Sequence, residues 1–431
     1  MSVVPRVEGK PAEGAFPYRD RVEDLRRVLV QQGSLGLLLI DTSALAQIEH
    51  QYGSSAFAKV MAMARDLVFE LKGHEVRHDD IICLNDRGGD AFLIFFSPKR
   101  REGPLRIADL KAAAERVESH INRKLTRLAS PYLGHLRRVS VGFALSFYNP
   151  LVMPERLVSR LVEEAWNCVH VLRAQRELQD RCELQEVLLT DQLSTVFQPI
   201  VELRRRQVLG YEALSRGPAG SVYQMPLRLF EMAAEADLVF ELDRKCRRRA
   251  LLSASALPEH AKLFVNVFPS AMYDPEFQGA ALVELVEAHG LSPDRVVLEI
   301  TEKSAIENYD VFVEALVELT RHGFSIAVDD VGAGYSGLEK IANLNPRYLK
   351  FDRELVRNID SSYIRREMTR ALKAFADRIG STIIAEGIER EGELQALLEL
   401  GIEYGQGFLL GRPASAFLPP TAPTLATAAA H

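Results

Sequence analysis

The chain has 431 residues, 47% of them apolar and 26% charged, with a formal net charge of -6. That length suggests two or three domains, the ordinary composition suits a soluble globular chain, and the acidic balance gives no reason to expect a nucleic-acid polymer as partner. The four cysteines, Cys83, Cys168, Cys182 and Cys246, form no C-x-x-C pair, and no apolar run approaches a membrane span of ~18 residues, so a zinc knuckle, a disulfide framework and a membrane location are set aside in favour of a reducing cytoplasm.

Residues 1–17 lack the apolar core of a signal peptide and are expected to be disordered. From 18 to 153 the pattern is mixed α/β. LGLLLIDTSAL (35–45) reads as a buried strand ending at Asp41 and a turn. YGSSAFAKVMAMARDLVFELK (52–72) carries apolar residues every three or four positions and reads as a helix. IICL (81–84) and AFLIFF (91–96) flank a glycine turn and form a hairpin-like pair. A charged helix over 106–128 and a last strand, RVSVGFAL (138–145), complete this half.

Residues 154–193 read as a connecting helix that opens on Pro154. Leu157, Val158, Leu161, Val162, Ala165, Trp166 and Val169 make its apolar stripe. RAQRELQDR (173–181) lacks such a face and is expected to join two domains, with pairing to its copy in a homodimer as one use.

From 194 to 415 short apolar runs alternate with amphipathic helices, the signature of β/α repeats, so a (β/α)₈ TIM-like barrel is expected. Seven of the runs finish on a polar residue: Glu212, Asn266, Glu299, Asp329 with Asp330, Lys350, Glu386 and Gln406. In such a barrel the C-terminal strand ends share one rim, where sites are built. Acids crowded on one rim repel unless cations sit among them, and an oxygen-rich set with amides suits Mg²⁺ or Mn²⁺. Two ions about 3.5–4 Å apart are a standard device for water attack on a phosphodiester. Metal-assisted hydrolysis is the leading reading, and a lyase or racemase with Lys350 as base is the second. A single strand-end acid is as often a solvated structural group. The three glycines of DDVGAGYSGL (329–338), which permit close backbone approach, weigh toward a site, as does Glu389 in the GIERE loop. The tail, 416–431, is expected to be disordered.

Several ordered motifs share one family. FQPIVEL (197–203), YEALSRG (211–217), VNVFP (265–269), LEITEKSA (298–305), DDVGAGYSGL, LKFD (349–352), AEGIE (385–389) and QGFLLGRP (406–413) stand in sequence. Together they resemble the EAL-type cyclic di-GMP phosphodiesterases over nearly the whole C-terminal half. The resemblance implies hydrolysis of cyclic di-GMP to linear pGpG with two Mg²⁺ or Mn²⁺ ions. It implies that Glu212, Asn266, Glu299 and Asp329 hold the ions, with Asp330 and Glu386 completing the second site. Lys350 would orient the attacking water and Glu386 would take its proton. Glu302 would brace the glycine loop. Gln198, Arg216, Asp352, Glu389 and Gln406 would contact substrate or its water, and Arg216 suits a phosphate because its fork donates two parallel bonds. Departures from the family pattern are Val331, Ala333, Gly337 and Phe268. The alternative is a non-catalytic cyclic di-GMP receptor that signals to a partner protein.

The N-terminal half resembles a GGDEF cyclase domain. The name-giving motif reads Gly88-Gly89-Asp90-Ala91-Phe92, so Ala91 stands where the family has a metal-binding Glu. Asp41, the other metal acid, survives, while Ala46 and Glu49 replace the Lys and Asn expected near triphosphate and guanine. The resemblance with these losses implies a degenerate, inactive cyclase. A scaffold that dimerises is favoured over GTP binding as a signal. RHDD (77–80) resembles the family's R-x-x-D inhibitory site, but its spacing to the glycines is about two residues too long, and a surface ion pair or strand-entry turn is favoured there.

Overall fold

A computed structural model describes residues 16–85, 91–96, 105–128, 139–307, 309–332 and 338–421. Gly88, Gly89 and Asp90 of the glycine turn lie outside the described residues, as do Ala333 and Gly337. The chain divides into two compact units, residues 1–179 and 180–431. No described helix is long and apolar enough to cross a membrane.

The first unit is built on an antiparallel sheet of β1 (Ser34–Asp41), β2 (Ile81–Leu84), β3 (Ala91–Phe95) and β4 (Ser140–Phe147), in the order β2-β3-β1-β4. β1 is central because its Leu35–Ile40 run is apolar on both faces and is buried throughout. Leu38 and Ile40 face a layer that includes the helices Ser54–Glu70 and Ile107–Leu128. Leu35, Leu37 and Leu39 face the other side, where Leu25 and Leu29 meet the start of the long helix Pro154–Leu189. The hairpin expected of 81–84 and 91–96 is present, with Ile81 opposite Phe95 and Leu84 opposite Phe92. RHDD is a strand-entry turn: the Asp80 carboxylate accepts the Arg77 backbone N–H at 2.8 Å.

The long helix is not a free spacer. Leu157, Val158, Leu161, Val162, Ala165 and Val169 pack into the first unit's core, and Leu184, Val187 and Leu188 pack with the helices at 226–236 and 239–253 in the second. The polar stretch between is held by charge: Arg173 reaches Asp41, and Arg176 meets Glu118 at 2.7 Å.

The second unit is a closed eight-stranded barrel: β5 (Ser194–Glu202), β6 (Val208–Arg216), β7 (Lys262–Asn266), β8 (Val296–Thr301), β9 (Ser325–Val331), β10 (Tyr348–Phe351), β11 (Thr382–Ala385) and β12 (Tyr404–Gly405). Strands β6 to β12 are parallel, as β/α alternation requires. β5 runs against both neighbours, β6 and β12, because the Arg204–Arg206 stretch is a tight turn that returns the chain as a hairpin. The barrel therefore departs from a plain (β/α)₈ at its first strand. Its interior is filled by Ile200, Phe264, Val297, Ala327, Tyr348 and Ile384, and a larger apolar layer lies between strands and helices.

Close backbone packing in the first unit is set by Gly142 on β4, where a side-chain carbon would come within 2.5 Å of the Ala165 carbonyl oxygen. Gly142→Val is expected to destabilise that unit by about 1–3 kcal/mol. Chemical denaturation followed by the fluorescence of Trp166, the single tryptophan, would read the change, and an unaltered transition would contradict the packing described.

Candidate functional site

The barrel's alternation builds the site. In a strand, residues two apart share a face. Phe264, Val297, Ala327, Tyr348, Ile384 and Tyr404 point inward or pack on the inner layer, so Asn266, Glu299, Asp329, Lys350, Glu386 and Gln406, each two residues further on, form the next layer of the interior. Glu212 and Gln198 are direct cross-strand partners on β6 and β5. The strands do not all stop where the polar residues stand. β6 runs on to Arg216 because β5 continues beside it to Ser194, and β8 runs two residues past Glu299. Polar groups thus reach the rim from inside the barrel mouth.

Lys350 is the centre of the cluster. Its side chain is 0% exposed, and its Nζ lies 2.8 Å from Glu386 Oε1, 2.9 Å from Glu299 Oε1, 3.3 Å from Asp329 Oδ1 and 3.4 Å from Glu212 Oε2. Burial works against its charge, but the four carboxylates outweigh this and hold its pKa well above the usual lysine value. Burial also raises the acids. Glu299 and Glu386 stand well above the carboxylate range, with Lys350 only partly offsetting desolvation. Asp329 is raised for the same reason, and Asp330 is pushed up to about 6 by burial and then by Asp329 and Asp352. Glu212 goes the other way. Burial raises it too, but Lys350 and the amides of Gln406 and Asn266 bring it below its ordinary value. Gln406 Nε2 donates to Glu212 at 2.7 Å and to Gln198 Oε1 at 3.0 Å, and Asn266 Nδ2 donates to Glu212 at 3.1 Å.

One ammonium against five acids leaves negative charge uncompensated. Of the Glu299 carboxylate, Oε1 meets the Lys350 ammonium at 2.9 Å, while Oε2 is buried without a hydrogen bond. Two sets of acids, Glu212 with Glu299 and Asp329, and Asp329 with Asp330 and Glu386, each place ligand oxygens within 4.8 Å of one another. Asp329 belongs to both sets. An all-oxygen donor set with a shared carboxylate and a neighbouring amide fits a pair of hard divalent cations. Asp330 adopts a left-handed backbone, φ 59°, unusual for a residue with a side chain, with its N–H donating to Asp329 Oδ1 at 2.9 Å. That conformation turns the chain sharply between two adjacent acids.

The remaining expected residues are placed as follows. Glu302 is buried and its Oε2 accepts the Gly332 N–H at 3.1 Å, at the first glycine of the DDVGAGYSGL loop. Arg216 is half-buried on β6, four residues beyond Glu212 and hence on the same face, with its Nη1 donating to the Ser215 carbonyl oxygen. Asp352 caps the short helix Arg353–Val356 by accepting the Glu354 N–H. Glu389 forms an ion pair with Arg353 at 3.0 Å. Phe268 stacks on Phe230 with ring centroids 4.9 Å apart, a contact between residues 38 positions apart that periodicity could not show.

In the first unit, Asp41 on β1 lies directly opposite Ala91 on β3. Two carboxylates there would share one face; Ala91 instead is an apolar side chain, 1% exposed. Asp41, also 1% exposed, is neutralised by Arg173, whose Nη2 lies 2.5 Å from Asp41 Oδ2, while Oδ1 accepts the Ser43 N–H at 2.9 Å. Sequence reading missed Arg173; its only signal was a basic residue continuing the spacing of the helix's apolar stripe.

A family model for the EAL domain matches residues 181–413. Cyclic di-GMP phosphodiesterase NbdA of Pseudomonas aeruginosa is 34% identical over 251 residues, 56% of this chain and 32% of that protein. Bifunctional diguanylate cyclase/cyclic di-GMP phosphodiesterase MucR of the same organism is 32% identical over 251 residues, 56% of this chain and 36% of that protein. The match therefore spans about a third of each relative's length. The crystal structure of the Xanthomonas citri FimX EAL domain in complex with c-diGMP covers 58% of this chain and 98% of its own, at 21% identity and a TM-score of 0.52, and shows likeness of fold.

Two measurements test these sites. Removing Arg173 strands a buried carboxylate, so Arg173→Ala should destabilise the first unit by about 3 kcal/mol and Asp41→Asn in the same chain should recover most of it; equal transitions in denaturant would refute the pairing. In the barrel, four of the five acids have raised values in the folded, ion-free state. Their protonation stabilises the fold below the ordinary carboxylate range, and that contribution is lost as pH rises through the folded values, about 6 for Asp330. Glu212, with its lowered value, opposes this trend alone. Chelated protein should thus gain more in unfolding temperature from Mg²⁺ or Mn²⁺ at about pH 8 than at about pH 5, where protons compete with the metal. An equal gain at both would argue against ions among these acids.

Proposed function

The chain belongs to the EAL-domain family, and on that premise we propose that its barrel hydrolyses cyclic di-GMP to linear pGpG. The observation that carries the reading is the complete oxygen cluster around Lys350: none of Glu212, Asn266, Glu299, Asp329 or Glu386 is replaced or turned away. A receptor that had abandoned chemistry would not need to keep five acids crowded in a buried barrel mouth.

Glu212, Asn266, Glu299 and Asp329, with Asp330 and Glu386 completing the second position, would hold two Mg²⁺ or Mn²⁺ ions. The ions would supply an activated water and neutralise charge on the phosphate. Lys350 holds four of the acids in one place and donates toward the attacking water. Glu386, the most exposed of Lys350's four acidic partners, accepts the proton. Arg216, on the rim side of Glu212, offers two parallel donors to a phosphate oxygen pair. Glu302 fixes the first turn of the glycine loop beside Asp330. Gln198 and Gln406 align the Glu212 carboxylate through the bonds described. Asp352 faces Asp330 closely enough to raise it, and both Asp352 and Glu389 stand on loops that follow inner-layer residues, where they meet the substrate or its water.

For the first unit, the proposal is a degenerate GGDEF domain without cyclase activity that serves as scaffold or regulator. Asp41 opposite Ala91 offers one carboxylate where metal-assisted condensation of two GTP calls for two.

The test is incubation of the purified chain with cyclic di-GMP and Mg²⁺ or Mn²⁺, following pGpG by chromatography. Product is expected, with Glu212→Gln lowering the rate at least about 100-fold. Binding of cyclic di-GMP without product under either metal would reject the phosphodiesterase and leave the receptor reading.

A further inference from the structure

The loop that follows β11 is held at its base by the barrel. The Glu386 N–H donates to the Phe351 carbonyl oxygen at 3.0 Å, and the Ile388 N–H to that of Gln406 at 3.1 Å. Beyond Ile388 the next two N–H groups, of Glu389 and Arg390, both donate to one side-chain oxygen, Oε2 of Glu393, at 3.1 Å. Glu393 stands in the first turn of the helix Glu391–Glu399, so these bonds belong to a capping box. Its other oxygen does something a cap does not need. Oε1 accepts the N–H of Asn358 at 2.9 Å, from 35 positions away. Asn358 lies in the turn that follows the helix Arg353–Val356 and has a left-handed backbone, φ 57°.

Further contacts hold the same two segments together. Arg390 Nη2 donates to Asn358 Oδ1 at 3.1 Å and to Asp360 Oδ1 at 2.6 Å. A side-chain carbon on Gly387, the residue after Glu386, would clash with the Arg353 side chain, and Arg353 in turn pairs with Glu389. Glu393 itself is 2% exposed. Burial raises its pKa, but the N–H groups of Asn358, Glu389 and Arg390 and the Arg390 guanidinium outweigh this and leave it below its ordinary value. We propose, on the reading that Glu389 meets the substrate, that Glu393 is a positioning residue: by bridging the segments that follow β10 and β11 it fixes Glu389 and its partner Arg353 at the rim, and so sets the affinity for cyclic di-GMP.

Glu393→Gln separates this role from capping. An amide can turn its oxygen to the Glu389 and Arg390 N–H groups and keep the cap, but its NH₂ then faces the Asn358 N–H, donor against donor. In the full chain with Mg²⁺ or Mn²⁺, KM for cyclic di-GMP should rise about fivefold or more with kcat within about twofold, the sign of lost binding rather than lost chemistry. Arg390→Ala, at an exposed position of the same bridge, should move KM in the same direction. Glu389→Ala should raise KM too, and adding Glu393→Gln to it should raise KM little further, because the one acts through the other. Should the unaltered chain yield no product, the same series is read as Kd for cyclic di-GMP by calorimetry, so this proposal and the phosphodiesterase reading fail separately. An unchanged constant in Glu393→Gln or in Arg390→Ala would overturn the bridge. So would a fall in kcat at constant KM, or full additivity with Glu389→Ala.

Discussion

The acidic layer at the barrel mouth depends on one buried ammonium. Lys350 is enclosed by four carboxylates within 3.4 Å, and its own side chain is 0% exposed. A lone lysine in that position would lose its proton, and the acids alone would not stay together. Each makes the other tolerable. The arrangement is still acid-rich, and the buried Oε2 of Glu299 has no donor of its own. Strand alternation supplies the rest, because Asn266, Glu299, Asp329, Lys350, Glu386 and Gln406 each stand two residues beyond a residue of the barrel's inner layer.

The first unit solves a smaller version of the same problem by another means. Asp41 is as deeply buried as the barrel acids, and Ala91 opposite it removes the second carboxylate. A single negative charge can be met by a single guanidinium from the protein's own helix. Where the barrel gathers five acids around one lysine, the first unit holds one fixed internal ion pair. The connecting helix thereby gains a polar anchor where its apolar stripe ends, which accounts for an ordered helix through a stretch with no apolar face.

Much of this was legible from residue patterns, and the parts that were not have a common cause. The seven polar strand ends could be read because short apolar runs and period-two alternation are local properties, and Asn266, Lys350, Glu386 and Gln406 stand at or next to the ends of their strands. The expected ends at Glu212 and Glu299 were early, since strand length is set by the neighbouring strand rather than by the run itself. The direction of β5 was not legible: FQPIVEL alternates identically read either way, and only the tight return at Arg204–Arg206 fixes it. The pair of Arg173 with Asp41 joins positions 132 residues apart and leaves no local trace. Glu389 was placed with the site by its loop, and its described partner is Arg353.

The barrel closes through its two ends, with β12 of only two residues docking on β5 and Ala414 exchanging backbone bonds with Phe197. Gln406, which aligns Glu212 from 194 residues away, belongs to that closing segment. During vectorial synthesis the acidic layer therefore cannot be completed until the segment through Ala414 has left the ribosome. The acids of β6, β8 and β9 emerge before Lys350 and Gln406, and a nascent chain stalled between them carries like charges without that ammonium. A chain cut before β12 would lack both the strand that closes the barrel and the amide that holds Glu212.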